Sequence, residues 1–162
     1  MGLGAAPYTA RRLQDDQLFD TETQTLAARG TALRLRQDGD RARLTFKGPV
    51  IPAAVKRREE FETGVEDGAT ARRLLHALGF TPGFRYQKYR EEFRLGDLII
   101  AVDETPVGTF VEIEGDEAQI AAAATRLGRG AEDYIRASYR TLFHEYRQAH
   151  GFPSDDMVFE RA

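Results

Sequence analysis

A chain of 162 residues, 41% apolar and 30% charged, is long enough for one folded domain with its own core and short for two. A net charge of −3 argues against a general binder of nucleic acid polymers. The lack of cysteine excludes disulfides and thiolate metal sites, and no apolar run approaches membrane-spanning length.

The opening MGLGAAPYTARRLQ lacks the apolar stretch of a secretory signal, so the expected compartment is the cytoplasm, with no membrane partner. QDDQLFD (14–20) is a weak strand candidate. TALRLRQ (31–37) and RARLTFKG (41–48) flank DGD, a tight hairpin turn. After the breaker GPVIPA (48–53) comes a strand over 55–63, VKRREEFET. A helix over about 67–78 starts at a capping Asp67, aligns Ala71, Leu74, Leu75 and Leu78, and stops at Gly79. Two more strands, FRYQKYREEFRL (84–95) and DLIIAVDE (97–104), turn at Gly96-Asp97, and GTFVEIEG (108–115) closes the series. A second helix, about 116–127, runs from Asp116 through Ile120, Ala124 and Leu127 to Gly128. A third, about 131–149, aligns Ile135, Tyr139, Leu142 and Tyr146 and ends at Gly151 and Pro153. The tail, 154–162, has no assignable pattern. His76, His144 and His150 form no ligand-spaced pair and are expected to be ordinary helix residues. The fold class is α+β: one domain over 1–162, an antiparallel sheet covered by helices.

Charge occupies alternate positions of these strands. Arg34 and Arg36 oppose Leu33 and Leu35, and Arg43 and Lys47 oppose Leu44 and Phe46. Lys56, Arg58, Glu60 and Glu62 oppose Val55 and Phe61, and Tyr86, Lys88, Arg90 and Glu92 form a further row. Asp103 opposes Val102, while Glu112 and Glu114 oppose Val111 and Ile113. A face built only to be wet would intersperse its signs. Here cations dominate at 34–58 and 88–90, and acids at 103–114. A sheet closed into an eight-stranded barrel is wide enough to enclose one small ligand. Charges facing such an interior must pair with one another and with a highly charged guest. Polyphosphate with a divalent cation suits both signs: Arg and Lys bind phosphoryl oxygens, and carboxylates give hard ligands to Mg²⁺ or Mn²⁺.

The segments ALRLR, LTFKGP, KRREEFE, KYREEF, VDETPVGTFVEIEG and SYRTLF, over about 17–143, resemble the CYTH domain in order and spacing. That is the family of class IV adenylate cyclases and thiamine triphosphatases, or triphosphate tunnel metalloenzymes. The resemblance implies an antiparallel eight-stranded β-barrel of CYTH type, a tunnel binding a triphosphate with Mg²⁺ or Mn²⁺. It gives phosphate binding to Arg34, Arg36, Lys47, Arg58, Lys88 and Arg90, and metal binding and catalysis to Asp103, Glu112 and Glu114. Glu60 and Glu62 would line the tunnel, and Arg136 lies near where the family offers a basic residue from its last helix. The family's Glu-x-Glu-x-Lys first strand and the helix after it have no counterpart, so the domain is expected to be N-terminally incomplete, with its true start upstream of Met1 and an open barrel edge. The implied reaction is conversion of ATP to cyclic AMP and pyrophosphate. The alternatives are a triphosphatase acting on thiamine triphosphate, inorganic triphosphate (tripolyphosphate) or a nucleoside triphosphate, and a non-catalytic binder of polyphosphate or nucleotide.

Overall fold

Gly39, at φ 61°, turns β2 (Ala32–Asp38) back onto β3 (Arg41–Lys47), and the register sets Leu35 opposite Leu44 and Arg36 opposite Arg43. Side chains alternate, so this register puts the leucines on one side of the sheet and the arginines on the other. The computed structural model describes residues 3–53 and 55–160. Its remaining strands are β1 (Ala6–Thr21), β4 (Glu60–Val65), β5 (Phe80–Leu95), β6 (Leu98–Thr105) and β7 (Gly108–Glu114). All pairings are antiparallel, in the spatial order β4-β3-β2-β1-β5-β6-β7.

The closed eight-stranded barrel is not formed by the described residues. There are seven strands, and β4 and β7 are edges that pair only with their hairpin neighbours, not with each other. Three strand starts also differ from expectation, β5 beginning at Phe80 rather than 84. β1 begins at Ala6 rather than near 14, because its first half pairs with the far half of β5, from Ala6 opposite Arg94 onward. Such a partner is invisible to local patterning. β4 begins at Glu60 rather than 55, so Val55, Lys56 and Arg58 lie in the connection after β3. That connection is held by a bridge between Ile51 and Arg57 and by the Gly48 N–H donating to the Glu59 carbonyl.

Among the described residues there are four α-helices: α1 (Thr25–Ala28), α2 (Gly68–Ala77), α3 (Glu117–Arg126) and α4 (Tyr139–His150). Asp67 and Asp116 cap α2 and α3 as their spacing predicts, accepting from the Ala69 N–H and from the Ala118 and Gln119 N–H groups. The third expected helix begins eight residues late. Residues 131–133 make one 3-10 turn, Ser138 accepts from the Thr141 N–H to start α4, and Ile135 lies exposed on the connection. On α2 the buried stripe is narrower than expected: Leu75 is buried, whereas Leu74 and Leu78 face solvent. Among the described residues no helix is long and apolar enough to cross a membrane.

Apolar packing falls on both sides of the sheet. Phe19, Leu35 and Leu75 are buried together, with Leu33, Leu44, Val65, Ala71 and Phe80 around them, which seats α2 on the leucine side of β1–β3. Phe19→Ala is expected to cost about 3–5 kcal/mol in urea unfolding, the usual range for a buried aromatic. On the arginine side a second cluster joins Tyr86, Phe143 and Met157, flanked by Leu18, Phe84, Tyr139 and Phe152. Here the tail, which carried no sequence signal, proves to be built in. The Met157 N–H donates to the Arg85 carbonyl, the Gln87 N–H donates to the Met157 carbonyl, and the Asp156 carboxylate accepts from the Arg85 N–H. The start of α4 and the tail thus cover one end of the charged face of the sheet.

Candidate functional site

Two buried carboxylates organise the charged face, each shared by two cations. Asp16, on β1, is 0% exposed and sits opposite both Arg36 on β2 and Tyr86 on β5. Arg36 grips it with two bonds, Nε at 2.8 Å and Nη2 at 3.1 Å, and Arg34 Nε lies 3.3 Å from the same carboxylate. Arg34 itself is buried, and its Nη2 donates to Thr45 Oγ1 at 3.1 Å and to Glu62 Oε2 at 3.4 Å. Asp103, on β6, is likewise 0% exposed and pairs in register with Arg90. Arg90 donates Nε to Oδ1 and Nη2 to Oδ2, both at 2.6 Å, and Lys88 Nζ donates to Oδ2 at 2.7 Å. The Tyr139 hydroxyl, from the start of α4, donates to the same Oδ2 at 2.6 Å.

The two edges carry the remaining acids. On β7, Glu112 accepts from Arg90 Nη2 and lies 3.9 Å from Lys88 Nζ, and Glu114 is the most exposed of the set, 3.7 Å from Arg90 Nη1. On β4, Glu60 takes Lys47 Nζ at 2.8 Å and Arg58 Nε at 3.2 Å, while Glu62 takes Arg43 Nη1 and the Thr45 hydroxyl, each at 2.8 Å. From the connection after α3, Arg136 reaches the Ala53 carbonyl at 3.4 Å, not the charged floor. Arg34, Arg36, Lys88, Arg90, Asp103 and Glu112 therefore lie on one face, with Lys47, Arg58, Glu60 and Glu62 toward the β4 edge.

Electrostatics follows from this crowding. Burial alone would raise the Asp103 carboxyl, but the hydrogen bonds and charges of Arg90 and Lys88 outweigh it and hold the group well below the usual carboxylate range. Glu112 is lowered for the same reason, burial being overcome by the Lys88 and Arg90 charges. Burial pulls the Lys88 ammonium down to about 8, with the Arg90 charge adding to it and Glu112 and Asp103 opposing. Burial and the two nearby carboxylates push the Tyr139 phenol up, so it stays a donor. Glu60 and Glu62 are also lowered, their cation and hydroxyl partners outweighing burial. A carboxylate depressed in the folded state contributes stability that is complete above the unfolded value, about 4, and is lost as pH falls through the folded one. The urea midpoint is therefore expected to hold between pH 7 and 5 and to fall steeply below about pH 4. A flat profile down to pH 3 would mean that these pairs do not form in solution.

A divalent cation needs hard oxygen donors. Among the described residues no group of three or more acidic or histidine side chains is arranged to hold one, and Asp103 does not join Glu112 and Glu114, since Arg90 stands between them. A cation that arrives with its ligand needs fewer protein donors, and Glu112 and Glu114 are two carboxylates two residues apart on β7. Mg²⁺ and Mn²⁺ keep several waters and are bound through one or two carboxylates plus phosphate oxygens.

Three participants escaped sequence reasoning. Asp16 lies in a segment ranked weak, although its spacing from Gln14 and Leu18 places it on the arginine side. Thr45 interrupts a row of charges, and nothing local marks it as their partner. Tyr139 falls on an apolar helix stripe, where the need of a half-buried phenol for a partner is the available signal.

The family model for the CYTH domain matches residues 8–139. A candidate adenylate cyclase of Methanocaldococcus jannaschii is 30% identical over 108 residues, 66% of this chain and 62% of that relative's length. Among solved structures, a candidate adenylate cyclase of Vibrio parahaemolyticus superposes with a TM-score of 0.72 at 23% identity, covering 86% of this chain and 84% of that one. A Hippeastrum protein, described as a candidate adenylyl cyclase that reveals a dominant triphosphatase activity, has a TM-score of 0.62 at 19% identity, covering 88% of this chain and 85% of that one. At such identities these two likenesses are of fold. With the family's match running from β1 into the start of α4, this chain belongs to the CYTH domain family.

Proposed function

We propose that the charged face binds the triphosphate group of ATP with Mg²⁺ or Mn²⁺, and that the chain catalyses attack on that triphosphate in the manner of a class IV adenylate cyclase. One observation carries this: each fully buried carboxylate, Asp16 and Asp103, is shared by two cations. Burying cations is costly unless counter-charge is supplied, and a triphosphate supplies it in a compact chain. Arg34, Arg36, Lys88 and Arg90 would hold phosphoryl oxygens on the floor, with Lys47 and Arg58 reaching them from the β4 side. Glu112 and Glu114 would hold the cation. When bound, it supplies neutralisation of charge on the phosphoryl oxygens. Asp103, engaged by Lys88, Arg90 and Tyr139, suits the role of an internal counter-ion better than that of a metal ligand.

In the cyclase reaction the ribose 3′-oxygen bonds to the α-phosphorus, pyrophosphate leaves with the bond to the bridging oxygen, and the hydroxyl proton passes to solvent. With water attacking the terminal phosphorus instead, the same floor serves a triphosphatase that releases orthophosphate. The description of the Hippeastrum protein keeps this second outcome in view, because the residues on the floor recognise phosphate and not the attacking oxygen. The test is to incubate the protein with ATP, thiamine triphosphate and inorganic tripolyphosphate, with Mg²⁺ or Mn²⁺, and to separate the products. Cyclic AMP with pyrophosphate supports the cyclase, and orthophosphate the triphosphatase. Tight binding with neither product would leave a binding protein.

A further inference from the structure

Tyr139 stands where two environments meet. Its ring packs against Tyr86 and Phe110, at centroid distances of 5.8 and 5.6 Å, inside the apolar cluster anchored by Phe143 and Met157. Its hydroxyl leaves that cluster to reach Asp103, and its ring face lies 5.0 Å from Lys88 Nζ. We infer that Tyr139 is a positioning residue, one that keeps Lys88 and Arg90 available to phosphate by competing with them for Oδ2 of Asp103. The inference rests on the triphosphate reading of the charged face.

A carboxylate offers about four acceptor sites. On Asp103, Oδ1 accepts only from Arg90 Nε, whereas Oδ2 is crowded by Arg90 Nη2, Lys88 Nζ and the Tyr139 hydroxyl. Arg90 is fixed by its two-pronged grip, and Lys88, on a flexible stem with three donors, is the group free to shift. With the phenol in place, Lys88 needs to give Asp103 one N–H, and Glu112 at 3.9 Å is too far for a full hydrogen bond. The other two N–H groups then point to a guest. Without the phenol, Oδ2 is left to Arg90 Nη2 and Lys88 Nζ alone, and Lys88, relieved of a competing donor, is held closer to it. The position of Tyr139 is set from outside the site, through Ser138 capping α4 and through Met157 pinned to β5.

The test is calorimetric titration of the full chain with inorganic tripolyphosphate in Mg²⁺, using wild type, Tyr139→Phe, Lys88→Met and the double variant. Phenylalanine keeps the packing and removes only the hydroxyl. Tyr139→Phe is expected to bind about tenfold more weakly, and the loss is expected to vanish in the Lys88→Met background, the mark of action through Lys88. A merely structural role would move the unfolding midpoint and leave affinity alone. Equal affinity of Tyr139→Phe and wild type, or the same loss with and without Lys88, overturns the inference. Wild type that does not bind tripolyphosphate overturns the triphosphate reading, and this inference with it.

Discussion

Asp103→Asn is expected to destabilise the protein by about 3–5 kcal/mol, the range for removing one partner of a buried ion pair. Asparagine keeps the volume and one acceptor but removes the charge that Lys88 and Arg90 share, leaving two buried cations against Glu112. The loss would be read from urea unfolding at pH 7. Tripolyphosphate is expected to restore part of it, since a ligand that binds only the folded state stabilises in proportion to the logarithm of its concentration above Kd. Wild-type stability in Asp103→Asn would mean that Asp103 is not the internal counter-ion, and would return it to the metal-binding role that the family resemblance implies.

The acids of β7 are expected to behave in the opposite way. Glu112→Gln and Glu114→Gln should each lower metal-dependent turnover by about a hundredfold or more, because the cation's neutralisation of phosphoryl charge is worth several kcal/mol. The effect of Glu114→Gln on folding should be small, since Glu114 is largely solvent-exposed, whereas Glu112→Gln gives up the charge facing Lys88 and Arg90 and should also lose some stability. Steady-state rates across a Mg²⁺ or Mn²⁺ titration, with urea midpoints in parallel, separate the two effects. Unfolding of both variants would show that these carboxylates serve the ion-pair network instead.

How far the sequence was legible depends on the range of the contact involved. Alternation in β2, β3, β6 and β7 marked the correct faces because each strand pairs with its hairpin neighbour across a short turn. The same logic failed at Lys56 and Arg58. Their alternation continues that of Glu60 and Glu62, yet the prolines of the preceding breaker and the Ile51–Arg57 bridge hold them off the sheet. The first half of β1 and the docking of Met157 were hidden for a different reason: both are created by β5, which lies far away along the chain. At the site, the cations were legible as a row, but the carboxylate that joins Arg34 to Arg36 was not. Asp16 becomes informative only once β1 is known to lie beside β2. The family resemblance implies a metal on Asp103, whereas in this structure its oxygens accept from Lys88, Arg90 and Tyr139.

The central claim is that the buried cations form a receptor for a polyphosphate anion. It is tested most directly by titrating inorganic tripolyphosphate, at fixed Mg²⁺, into wild type and into Arg34→Met and Lys88→Met. One ion bound per chain, with affinity reduced in each variant and weakened by added salt, is the predicted result. Failure of wild type to bind at millimolar tripolyphosphate, or binding that neither substitution alters, would contradict it.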